Sequence, residues 1–123
     1  MTDYADARKT AAMLAALAEP TRLRIAFFLA RGPHHVTQLA ELLDIPVVNM
    51  SHHLGVMRQS GLLDDEKDGR RVIYTFRAGL MQPGDGSDVL ATLQIGPFRV
   101  VLRNHGGTQP NGAKTRGKPK PAK

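Results

Sequence analysis

A mainly α-helical fold with a small β component is predicted by three features of the sequence. Apolar residues recur every three or four positions through successive segments before Gly61. The period then drops to two across Val72, Tyr74 and Phe76, and alternation returns on both sides of Gly96-Pro97. Helices followed by a hairpin with Arg70 and Arg71 near its tip form the order of a winged helix-turn-helix, here with an additional C-terminal β-hairpin.

The first helix is expected over residues 4 to 18. Tyr4, Ala7, Ala11, Leu14 and Ala18 follow 3,4,3,4 spacing there, a narrow seam of mostly small residues that suits close approach of another helix. Pro20 fits the first turn of a second helix, whose stripe of Leu23, Ala26, Phe27 and Ala30 is assigned to the core before Gly32-Pro33 stops it. Thr37 to Leu43 reads as a short third helix carrying Leu39, Leu42 and Leu43. The turn Asp44-Ile45-Pro46 then leads into a fourth helix from Pro46 to Ser60. Val47, Met50, Leu54 and Met57 gather on one face of it, so Asn49, Ser51, His52 and Gly55 look outward.

Ser60-Gly61 ends that helix, and Asp68-Gly69 supplies the positive-φ positions of a tight hairpin in which Val72, Tyr74 and Phe76 alternate with Ile73, Thr75 and Arg77. Residues 78 to 87, AGLMQPGDGS, read as a loop from their Gly, Pro and Asp content. Val89, Ala91, Leu93 and Ile95 alternate before Gly96-Pro97, and Phe98, Val100 and Leu102 after it, which predicts a second hairpin over 89 to 103. The chain thus divides into 1–77, the winged helix-turn-helix; 78–103, a loop plus a hairpin packed on it; and 104–123, a disordered basic tail rich in Gly, Pro and Lys that buries too little surface to offset ordering entropy.

Composition narrows the function classes. A chain of 123 residues supports one domain with one modest core. It has no cysteine and no apolar run near the roughly 18 residues of a membrane span, and its start, MTDYADARK, is too charged for a signal peptide. A soluble, cytoplasmic protein without membrane contact is the expectation. Five of the 17 basic residues and none of the 11 acidic ones lie in 104–123, so the first 103 residues carry a net charge of +1 out of the total +6. Most of the basic character therefore sits in the tail.

Three pieces in fixed order make residues 17 to 76 specific: EPTRLRI at the start of the second helix, SHHL in the fourth, and DGRRVIYTF across the wing. This stretch resembles the ArsR/SmtB winged helix-turn-helix repressors. The resemblance implies a homodimer on operator DNA, with the first helix helping to pair two subunits through Tyr4, Ala7, Ala11 and Leu14. It fades after Arg77, where many relatives place a long dimerising helix.

The residues themselves supply the chemistry of DNA contact. Asn49 can pair bidentately with adenine, Ser51 and His52 can reach base edges or phosphates, and Val48 can touch thymine methyls. Arg58 on the same helix, and Arg70 and Arg71 on the wing, complete the candidate set, with the two wing cations suited to a minor groove or to phosphates. Asp64, Asp65, Glu66 and Asp68 lie close by and repel phosphate unless paired, with Lys67, Arg70 and Arg71 the partners nearest in sequence. The adjacent histidines receive opposite assignments: His52 faces DNA, and His53, one turn before Met57, packs inside.

Neither metal sensing nor catalysis is expected. Imidazoles are present at His34, His35, His52, His53 and His105, but His35-Val36-Thr37 stands where thiol-sensing members of the resembling family carry Cys-Val-Cys, and the final helix that bears the family's other site is missing. No cofactor and no metal effector follow. No Gly-rich phosphate loop or cysteine nucleophile occurs, and Ser51 and His52 diverge by about 100° on a helix, so they do not form a dyad. In the tail, Lys114, Arg116, Lys118 and Lys120 are candidate phosphate contacts.

The expected function is a dimeric repressor that binds double-stranded DNA at an inverted repeat. The alternatives are a winged-helix protein-interaction module, and a sequence-independent nucleic-acid binder driven by the tail.

Overall fold

The computed structural model describes residues 2–104, so the tail, His105, Lys114, Arg116, Lys118 and Lys120 lie outside the described residues. Asn104 is the exception within 104–123, its N–H donating to the Asp88 carbonyl at 2.6 Å.

Among the described residues four helices and six strands follow one another: α1 (Tyr4–Leu17), α2 (Pro20–Leu29), β1 (His34–His35), α3 (Val36–Leu43), α4 (Val47–Gln59), β2 (Leu63–Asp68), β3 (Arg71–Phe76), β4 (Met81–Pro83), β5 (Val89–Ile95) and β6 (Phe98–Arg103). The helix starts have local causes. Glu19 caps α2 by accepting from the Arg22 N–H at 2.8 Å, with Pro20 in the first turn, where no N–H is needed. Gln38 Oε1 accepts from the His35 N–H at 2.8 Å and so holds the start of α3. Asp44 then turns left-handed (φ 56°), which ends α3 and swings the chain through Pro46 into α4. The pair α3 and α4 is the helix-turn-helix.

Two antiparallel sheets complete the fold, ordered β1-β3-β2 and β4-β5-β6. In the first, Leu63 opposes Phe76, Asp65 opposes Tyr74, and Asp68 opposes Arg71. The two-residue connection is therefore Gly69-Arg70, and only Gly69 has positive φ (67°) in it. The expected positive φ at Asp68 does not occur, because Asp68 is the last residue of β2; a glycine at the first central position is the requirement of a type II′ turn. The shift puts Arg70 in the turn itself and Arg71 at the start of β3.

The core runs continuously through both sheets. Ile25, Leu29, Leu39, Met50, Leu54, Met57, Leu62 and Leu63 are fully buried, and Ala91, Leu93, Ile95 and Leu102 extend the same cluster into the second sheet. Helical spacing misplaced two side chains: Leu23 and Val47, assigned inward, are each close to half exposed, as is Leu42 on α3. In α2 the buried set is Ile25, Ala26 and Leu29, followed by the buried cap Ala30, a stripe rotated from the expected one, and in α3 it is Leu39, Ala40 and Leu43. An apolar residue beside a buried stripe satisfies the same period without being covered.

Two strands were not expected. His34 and His35 pair with Tyr74 and Ile73 as the third strand of the wing sheet. Met81–Pro83, inside the segment read as a loop, pairs with Leu93, Thr92 and Ala91. Helix α1 ends one residue before the expected limit, with Ala18 as its cap. Thr10, Ala16 and Leu17 form its buried face, so the seam of Tyr4, Ala7, Ala11 and Leu14 lies to one side, with Tyr4 and Ala11 exposed and Ala7 and Leu14 half-buried.

Candidate nucleic-acid interface

Helix α4 is pinned from beneath and open above. Met50, Leu54 and Met57 are fully buried, whereas Val48, Asn49, Ser51, His52 and Arg58 are exposed, Val48 to 80%. Val48, His52, Gly55 and Gln59 are spaced by four, three and four residues, so they line one outer row, with Ser51 and Arg58 beside it. Gln59 was not singled out from sequence; its place seven residues after His52 was the available signal.

His53 departs from its assignment. Its side chain is 18% exposed, at the edge of the core rather than inside it, and Nδ1 accepts from Arg22 Nη1 at 3.1 Å. The same nitrogen lies 3.9 Å from Glu19 Oε1; with its lone pair engaged by the guanidinium, that approach is a proximity and not a hydrogen bond. Arg22 also donates through Nε to the Ala16 carbonyl in the last turn of α1, at 2.5 Å. One guanidinium thus links the end of α1 to the middle of α4, across 31 residues of sequence from Arg22 to His53. Sequence inspection marked EPTR without finding this role.

Two of the four wing acids, Asp65 and Asp68, find partners other than those nearest in sequence. Arg58 Nε lies 3.8 Å from Asp65 Oδ2, and His35 Nε2 lies 3.2 Å from Asp68 Oδ2. Among the described residues, Arg70 and Arg71 enter no ion pair. Both are exposed at the hairpin tip, so their charge is available to an external anion. The Arg58–Asp65 pair is half-exposed on both sides and weak, so it tethers Arg58 loosely to β2.

Among the described residues, no group of three or more His, Asp or Glu side chains is placed to hold an ion. No helix among them is long and apolar enough to cross a membrane.

A buried-backed helix with an open polar row, followed by a two-stranded wing carrying cations, defines a winged helix-turn-helix regulator. Residues 17–66 match a family model described as a helix-turn-helix domain. Over 74 residues the chain is 32% identical to the HTH-type transcriptional regulator YgaV of Escherichia coli, a match covering 59% of this chain and 75% of that one. It is 40% identical over 74 residues to the HTH-type transcriptional regulator NmtR of Mycobacterium tuberculosis, covering 60% of this chain and 62% of that one. The fold superposes with a TM-score of 0.57 and 27% identity on the homodimeric winged helix-turn-helix DNA-binding domain of Mb0332 from Mycobacterium bovis, a possible ArsR-family regulator, covering 62% of this chain and 72% of that one. The chain belongs to the ArsR/SmtB family of winged helix-turn-helix transcriptional regulators. It spans about three fifths of the length of the first curated relatives it matches.

Proposed function

We propose that this protein is a sequence-specific DNA-binding regulator that acts in the cytoplasm as a homodimeric repressor on an inverted-repeat operator. The observation that carries the reading is the joint exposure of the α4 row and of Arg70 and Arg71, with Asp65 and Asp68 drawn to Arg58 and His35. In this reading α4 enters the major groove, where Asn49, Ser51 and His52 contact base edges and Val48 lies against a thymine methyl. Arg70 and Arg71 hold the flanking backbone or minor groove, and Arg58 and Gln59 flank the groove near the end of the helix.

Two copies paired along Tyr4, Ala7, Ala11 and Leu14 would place two such helices on half-sites about one helical turn apart. The exposure of Tyr4 and Ala11 is consistent with a surface that a second subunit covers. The mechanism is occlusion of a promoter, and it requires no catalysis, metal or cofactor.

Selection from random duplex DNA with the purified full chain, at one salt concentration near physiological, tests the proposal. An enriched inverted repeat is the expected outcome, and folded protein that enriches nothing refutes base reading. Exposed Val47 and Val48, at 47% and 80%, favour a second reading in that event: a protein-binding face on α4.

A further inference from the structure

The second sheet leaves a cleft of about 490 Å³ between α1, the turn at residues 77–80 and the β5–β6 turn. That volume lies in the range of small-molecule sites. Lys9 and Met13 project into it from the face of α1 opposite the Tyr4, Ala7, Ala11 and Leu14 seam, with Thr10 between the two, so pairing along the seam leaves Lys9 and Met13 to the cleft.

The lining has two kinds of surface. Met13, Leu80 and Pro97 are apolar, whereas Lys9 and Arg77 bring two positive charges and Asp6 one negative. Among the described residues, neither Lys9 nor Arg77 forms an ion pair with Asp6 or with any other acid. Arg77 Nη1 donates to the Gly61 carbonyl at 3.0 Å, and the rest of its fork has no hydrogen-bond partner among the described residues. Two cations against one carboxylate leave the lining net positive, and with the apolar floor this matches an anion with a hydrophobic body.

We propose that this cleft binds a small organic carboxylate, with the anion held by Lys9 and Arg77 and the apolar body resting on Met13, Leu80 and Pro97. The floor argues against inorganic phosphate, which has no apolar part to bury. Occupancy is transmitted to α4 through Arg77, because one arm of its fork holds the Gly61 carbonyl, Gly61 directly follows Ser60, the C-cap of that helix, and a carboxylate that draws the free arm moves the whole guanidinium. The site stands whether or not α4 reads DNA.

The test is an amide-resonance titration of the full chain with benzoate, phenylacetate and naphthoate, each beside its neutral primary amide. The carboxylates are expected to shift the Lys9, Arg77 and Gly61 resonances and to bind about tenfold more tightly than the amides, the worth of one charge-assisted hydrogen bond. Lys9→Gln and Arg77→Gln should each remove that preference, and Lys9 is exposed enough that its loss leaves the fold intact. Arg24→Gln, on α2 and outside the cleft, should keep it. No shift from any carboxylate, equal binding of the amides, or a preference that survives both cleft substitutions overturns the site. Shifts at the cleft with Gly61 unmoved overturn its coupling to α4.

Discussion

Replacing Arg22 by Met keeps the aliphatic stem and removes the guanidinium that joins α1 to α4. Two interactions disappear: Nε to the Ala16 carbonyl at 2.5 Å and Nη1 to His53 Nδ1 at 3.1 Å. Ala16 is buried, so its carbonyl loses a charged donor in the last turn of α1, where backbone acceptors have no partner within the helix. Hydrogen bonds to charged groups contribute about 1.5–3 kcal/mol each when buried. Arg22 is half-buried, and solvent compensates part of each loss, which brings the expected destabilisation to roughly 2–4 kcal/mol. The main-chain N–H at position 22 still donates to the Glu19 cap, so α2 itself persists.

Urea unfolding of Arg22→Met, with Arg24→Met on the exposed side of the same helix as control, measures the effect. The control should stay within about 0.5 kcal/mol of the parent. A cycle with His53→Ala should give a coupling near 1 kcal/mol, since the two side chains touch. An Arg22→Met loss no greater than the control, or additive single and double substitutions, refutes the clamp.

Asn49→Ala should lose about 1–3 kcal/mol of discrimination at one base pair, whereas Arg71→Ala should weaken all duplexes alike and lower the salt slope by about 1; equal losses on selected and random DNA for both would refute that division of roles. Gly96→Ala should cost about 2–4 kcal/mol in chemical unfolding, since φ is 59° and the new methyl collides with the side chain of buried Thr10. Adding Thr10→Ala removes the collision but not the backbone strain, so it should restore part of the loss; no restoration argues against that contact. The Ser87 hydroxyl, then its N–H, hold Asp85 below its ordinary 3.8. Stability from this lowered pKa is present above 3.8 and is lost as pH falls through the lowered value. Ser87→Ala should return the Asp85 carboxyl resonance towards ordinary titration, and an unchanged midpoint would contradict the assignment.

Local patterns carried most of the architecture. Met50, Leu54 and Met57 at helical spacing identified the buried side of α4 and therefore the side left exposed, and the alternation from Val72 to Phe76 identified the wing strand. Turn chemistry at Gly69 and Gly96 located both hairpins because each residue sits at positive φ in a tight connection, a constraint satisfied within a few residues. What tertiary structure alone decided is what depends on distant neighbours. Leu23, Leu42 and Val47 have the right period but no facing element, and a period records spacing without recording coverage. The strand at His34-His35 exists because the edge of β3 is there to pair with, and two residues are too few to announce themselves by alternation. The Arg22–His53 link and the Arg58–Asp65 and His35–Asp68 pairs required folding first, since polar partners are chosen by distance in space, not by order along the chain.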